Sequence, residues 1–194
     1  SLFGLKQMDV PVPPFYVLSG SVFTEYISQA IGNSPDNKIS DEDVRNKILN
    51  SQFPEETSRE IVQGYSRLSG FSESWVSVRS SIILPHTHRA LTCAGILETV
   101  LNVRGIQDLE TSIKRVYASA FTPKTADYLA RHNISIADIK IAVIVQKMVQ
   151  SEAAGVVFTV DPISQNNNYL TIEAVFGLGD VIANGEITPD QYIL

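Results

Sequence analysis

The hydrophobic period of this chain changes once, near residue 74, and that change constrains the fold more than any other feature of its 194 residues. Before it, apolar residues recur three and four positions apart, the spacing of one helix face. After it, they alternate, the spacing of a half-buried strand. The helical part holds three segments. Ser21 is placed to cap a helix carrying Phe23, Tyr26, Ile27 and Ala30, and Ser40 to cap one carrying Val44, Ile48 and Leu49. Asp41, Glu42 and Asp43 suit the positive end of that second helix. A third follows Pro54 with Ile61, Val62, Tyr65 and Leu68 on its apolar face, and Gly70 closes it. Upstream, a helix over 2–8 gives way to the proline run 10–14, which fixes φ and forbids helix, and then to a short strand over 15–18.

Beyond residue 74 the pattern predicts strands over 75–79 and 99–103 with a long loop between them that ends at Gly95. Helices return over 106–120 and, after Pro123, over 125–132. The last third reads as strands over 141–149, 155–160 and 169–175, with turns at Asp161-Pro162 and 166–168, and a further strand opening at Asp190. The fold class is therefore α+β, helix-rich first and sheet-rich afterwards. No apolar run approaches the roughly 20 residues of a membrane span. The net charge of −6 with scattered basic residues argues against a nucleic-acid or polybasic membrane partner. A single cysteine, Cys93, and the lack of a secretory opening point to a reducing cytoplasm.

No phosphate loop, zinc-protease motif or nucleophile elbow occurs, so chemistry must be read from smaller groupings. Arg79 ends a strand beside Ser80 and Ser81, a fork and two hydroxyls suited to phosphate oxygens; an ordinary salt bridge is the commoner role for such an arginine. Gly95 and Thr99 bracket the end of the long loop, offering close backbone approach and a hydroxyl. Gln146 and Met148 follow an apolar strand whose edge, with a flexible methionine, could wall a purine, although core packing explains a methionine as well. Gly177-Leu178-Gly179-Asp180 reads as a turn before a helix, and His86 and His88 as loop histidines without a third metal ligand.

Taken in order, several stretches resemble the nucleotide-binding domain shared by phosphoenolpyruvate synthase and pyruvate phosphate dikinase. They are Val10-Pro11-Val12-Pro13-Pro14-Phe15, residues 76–81, Ala94-Gly95 with 98–103, 145–149, 155–162 and 172–190. The resemblance implies a partial ATP-grasp fold, with residues 1–138 as its N-terminal lobe and 139–194 as the start of a second, sheet-containing lobe. It implies ATP as ligand at Arg79, Gly95, Thr99, Gln146 and Met148, with Mg²⁺ serving the full-length protein. It further implies that the complete enzyme converts ATP, pyruvate and water to AMP, phosphoenolpyruvate and phosphate through a phosphohistidine on a separate domain. A rifampin phosphotransferase-like kinase and a non-catalytic nucleotide-binding module are the alternative readings. The family's glycine-flanked lysine would precede Ser1, and its metal-binding glutamate and Gln-x-Arg-Pro strand would follow Leu194, so this stretch reads as a fragment expected to be inactive alone. Residues 82–89 depart from the family's usual Ala-Thr-Ala-Glu-Asp-Leu-Pro, and Ile96-Leu97 replaces a Gln-Gln pair.

Overall fold

The computed structural model describes residues 2–32, 40–70, 72–85, 91, 93, 95–160, 168–183 and 185–194. It divides into two compact units, Ser1–Met148 and Val149–Leu194. The first holds six α-helices among its described residues: α1 (Leu2–Gln7), α2 (Gly20–Ile31), α3 (Asp41–Asn50), α4 (Glu55–Ser69), α5 (Ile106–Ala118) and α6 (Pro123–Arg131). Its sheet is built from β1 (Phe15–Leu18), β2 (Val76–Ile83), β3 (Val100–Val103) and β4 (Lys140–Lys147), in the order β1-β4-β2-β3 with every neighbouring pair antiparallel.

The helices form where the period predicts them, with one change of cap. Ser40 accepts the Asp43 N–H at 3.2 Å, capping α3 as expected. At α2 the N-cap is Ser19 rather than Ser21, the helix beginning at Gly20, and the two hydroxyls lie 2.6 Å apart. Val62 is 38% exposed and so stands off the α4 core face, which is carried by Ile61 and Tyr65.

The sheet differs from expectation in two ways. First, β2 runs on through Ser80, Ser81, Ile82 and Ile83, because β4 offers it a partner over its whole length, from Val76 opposite Lys147 to Ile83 opposite Lys140. Residues 82 and 83, expected to begin the loop, are therefore strand, while the loop positions 86–90, with His86 and His88, lie outside the described residues, as do 161–167 with the Asp161-Pro162 turn. Second, β4 does not open a second lobe after residue 138. It is a central strand of the first sheet, hydrogen-bonded to β1 on one side and β2 on the other, so the division falls at Met148, ten residues later than the sequence pattern places it.

Strand alternation sends Val76 and Val78 of β2 and Ile141, Val143 and Val145 of β4 to one face, where all five are fully buried. Against them pack Ile61 of α4 and Leu109, Ile113 and Val116 of α5, each likewise without exposure. Every such side chain contributes about 1.5–3 kcal/mol of burial. Gly64 lets α4 approach β1 closely: a Cβ there would meet the Tyr16 ring at 2.7 Å. The Tyr16 hydroxyl donates to the Ile61 carbonyl at 3.3 Å, tying β1 to the same helix.

Two buried tyrosines make a controlled comparison. Tyr26 donates to the carbonyls of Ile48, at 2.5 Å, and Ser51, at 3.1 Å, satisfying two acceptors at the end of α3. Tyr117, its ring 6.0 Å from that of Tyr26, is equally buried, and its hydroxyl has no partner among the described residues. Tyr26→Phe is therefore expected to cost about 1–3 kcal/mol in urea unfolding and Tyr117→Phe to be neutral or stabilising; equal costs would contradict this assignment. Burial, with Glu110 as a lesser cause, pushes the Tyr26 phenol up to about 12, and burial raises Tyr117 and Tyr16 further. The folded chain keeps protons that the unfolded chain releases above about pH 10, so stability is fully present below that pH and falls as pH rises toward 12.

The second unit carries a sheet of β5 (Ala153–Phe158), β6 (Thr171–Phe176) and β7 (Asp190–Ile193), joined in that order and antiparallel, with the single-turn helix α7 (Asp180–Ala183) following β6. Gly155 is required by close approach, since a Cβ would meet the Glu173 carbonyl oxygen at 2.6 Å. No described helix in either unit is long and apolar enough to cross a membrane.

Candidate functional site

The face of the first sheet opposite its core carries the odd-numbered positions of β2 and the even-numbered ones of β4. Ser77 pairs with Gln146 and Arg79 with Ile144, so Arg79 and Gln146 lie diagonally across two strands on this face. Arg79 is exposed and Gln146 buried. The Arg79 Nη1 group donates to Gln146 Oε1 at 3.2 Å, and Gln146 Nε2 donates to the Pro13 carbonyl at 3.2 Å. The proline run thus has a local purpose: its rigid backbone holds the amide, and the amide aims the guanidinium. Among the described residues Arg79 has no carboxylate partner, so its charge is not neutralised, and only one of its N–H groups is committed. Among the described residues it does not take the salt-bridge role open to it from sequence alone.

Thr99 is exposed and immediately precedes β3. The antiparallel pairing of Val78 with Val100 makes Thr99 the next position beside Arg79. Met148 follows Gln146 by two residues at the end of β4; its N–H donates to the Trp75 carbonyl at 2.9 Å, extending the ladder by one step. Its sulfur is engaged as well, accepting the Asn102 N–H at 3.0 Å.

Gly95 stands apart from this group. Its backbone is left-handed, with φ of 71°, and its carbonyl accepts from Lys124 Nζ at 2.7 Å. The Glu98 N–H donates to Ser119 Oγ at 3.1 Å, and Arg115 pairs with Glu98, so the segment 95–98 is fastened to α5 and the turns that follow it. The structure therefore joins Arg79 to Gln146, sets Thr99 beside Arg79 by register, places Met148 opposite Trp75, four positions before Arg79, and holds Gly95 on a separate support. Sequence reasoning missed Lys124, Ser119 and Asn102. Only Asn102 leaves a signal, since asparagine is depleted in strands and tolerates the left-handed region.

An exposed guanidinium held by a buried amide, with a hydroxyl beside it and an apolar thioether at the strand end, offers an oxyanion contact and a flat apolar wall on one face. Comparison with known proteins identifies the domain type. Residues 1–194 match the family model described as the pyruvate phosphate dikinase AMP/ATP-binding domain. The chain belongs to that family. Among its relatives, a probable phosphoenolpyruvate synthase of Methanocaldococcus jannaschii is 30% identical over an alignment covering 100% of this chain and 18% of that protein. The phosphoenolpyruvate synthase of Pyrococcus furiosus is 38% identical over 79% of the chain and 19% of its own length. A probable phosphoenolpyruvate synthase of Archaeoglobus fulgidus is 34% identical over 97% and 27%. The chain spans about a fifth to a quarter of the length of these relatives.

Proposed function

We propose that the first sheet binds the nucleotide on the face opposite its core, Arg79 taking phosphate oxygens and Met148 walling the base. The arrangement is read as one lobe of an ATP-grasp fold, extending through Met148, with residues 149–194 beginning the second. The observation that carries this reading is the Arg79–Gln146–Pro13 relay: a guanidinium with no carboxylate partner among the described residues, aimed by a buried amide, in a domain whose family binds AMP or ATP. Gln146 acts through Arg79, because both ends of its amide are engaged within the protein. Thr99 adds a hydroxyl beside the guanidinium, and the left-handed Gly95 shapes residues 95–98, which lead into Thr99.

The complete protein is read as a phosphoenolpyruvate synthase-like phosphotransferase, with pyruvate and a phosphohistidine domain served by the chain beyond this stretch and the cytoplasm as its compartment. The relatives named phosphoenolpyruvate synthase, similar along 79% to 100% of this chain, support that assignment. Magnesium, which accompanies ATP in that reading, finds no donor set here: among the described residues no three His, Cys, Asp or Glu side chains gather to hold an ion. In phosphoryl transfer the developing charge must be met by several preorganised cations, and each one absent costs on the order of 10²-fold. The 194-residue chain, with Arg79 as the cation of its site, is expected to bind ATP without turning it over. Calorimetric titration with ATP and AMP, beside an assay of phosphate release, tests both halves. Absence of binding would overturn the nucleotide assignment, and release of phosphate would overturn the expectation of catalytic incompleteness.

A further inference from the structure

One residue on the sheet breaks the local rules of its strand. Asn102 lies inside β3 with φ of 56°, in the left-handed region, at a cost that asparagine bears more easily than other residues with a Cβ. The ladder explains the break. Val76 pairs with Val103 and Val78 with Val100, so β3 advances three residues where β2 advances two, and the extra residue is a β-bulge. Bulges release a backbone group from the ladder and re-aim it. Here the released group is the Asn102 N–H, and it points to Met148 Sδ at 3.0 Å. A methionine turns about three side-chain bonds and ordinarily adapts to whatever it touches. This one is tied at its sulfur by a backbone donor from two strands away, while its own N–H is fixed to Trp75.

We infer that Asn102 is a positioning residue of the nucleotide site: its left-handed bulge turns a backbone N–H onto the Met148 thioether and holds that side chain as a preformed wall for the base. The inference rests on the reading of Met148 as the base wall and adds the device that fixes it. It separates the base from the phosphates, because Arg79 is aimed by a different relay through Gln146 and Pro13. The bulge should therefore govern affinity for the base and leave phosphate affinity alone.

The test uses ATP and inorganic tripolyphosphate as probes with Asn102→Val, Asn102→Gly and Met148→Leu. Valine opposes the left-handed backbone and glycine permits it. Asn102→Val is expected to weaken ATP about 5–10-fold, the loss of roughly one hydrogen bond, with tripolyphosphate unchanged and Asn102→Gly within about two-fold of the parent. Met148→Leu, of similar volume but without the acceptor, should lose ATP affinity by the same factor, and Asn102→Val should add nothing in that background. The chain has two methionines, so a methyl-labelled spectrum contains two signals. Without nucleotide, that of Met148 should be narrow in the parent and in Asn102→Gly, and shifted or broadened in Asn102→Val. Equal weakening of ATP and tripolyphosphate would mark a general structural defect and overturn the positioning role. So would unchanged ATP affinity in Asn102→Val and Met148→Leu, with the nucleotide reading intact. Failure of the parent to bind ATP would overturn that reading and this one together. If the valine variant does not fold, the ATP and tripolyphosphate affinities of Met148→Leu decide, together with the width of the Met148 methyl signal in the parent and in Asn102→Gly.

Discussion

Arg79→Ala weakens ATP binding by about 10- to 100-fold, the range expected when a charge-assisted hydrogen bond to phosphate, roughly 1.5–3 kcal/mol, is removed. The effect is large because no acid neutralises that arginine among the described residues, and its one internal bond there goes to Gln146 Oε1 at 3.2 Å. Arg79→Lys recovers only part of the loss. A lysine supplies charge without the planar fork, and the Gln146 amide cannot orient a point charge in the same way. Gln146→Leu gives a smaller decrease, about 3–10-fold, since the guanidinium remains but is no longer aimed, and the Pro13 carbonyl loses its donor. Isothermal titration of the parent and these three variants checks the order. Equal affinities for Arg79→Ala and the parent would remove the arginine from the site.

The second large effect concerns where the first unit ends. A chain cut after Asp138 is expected to show no cooperative unfolding, whereas one cut after Met148 melts as a folded domain. The 140–147 strand supplies Ile141, Val143 and Val145, all fully buried, and is β1's neighbour in a sheet whose order is β1-β4-β2-β3. Removing it strips three core side chains worth about 1.5–3 kcal/mol each and leaves β1 unpaired and half of the β2 ladder open. That loss is of the same order as the entire stability of an ordinary domain, about 5–15 kcal/mol. Circular dichroism on heating distinguishes the two. A cooperative transition in the 1–138 chain would show that β4 is dispensable and restore the earlier boundary.

That boundary also shows what pattern reading can and cannot reach. Helices were legible because their signals are local: the spacing of Ile61 and Tyr65, the Ser40 cap and Gly70 all lie within a few turns of what they specify. The strand over 140–147 was legible as a strand for the same reason. Its sheet was not, because the pairing that decides it joins Gln146 to Ser77 and Phe15, far away along the chain. The extension of β2 through Ile83 has the same origin: alternation of Ser80 and Ile82 with Ser81 and Ile83 is ambiguous until β4 lies beside it. In the site, residue types suited to phosphate and base picked out Arg79, Gly95, Thr99, Gln146 and Met148, and resemblance to a family assigned them to one ligand. The relay that aims Arg79 spans 133 positions from Pro13 to Gln146 and has no local trace. Lys124 is equally silent, since its contact with Gly95 crosses 29 positions.

The nucleotide is proposed to lie against the Arg79 and Gln146 face of the first sheet. Nuclear magnetic resonance can watch that pair directly, through the Arg79 Nε–H and the Gln146 side-chain NH₂, assigned with Arg79→Lys and Gln146→Leu. Titration with ATP is predicted to shift both signals along one saturating curve, the Gln146 amide moving because its bond to Arg79 is repolarised when the guanidinium meets phosphate. Saturated ATP binding, measured independently by calorimetry, with both signals unmoved would contradict it.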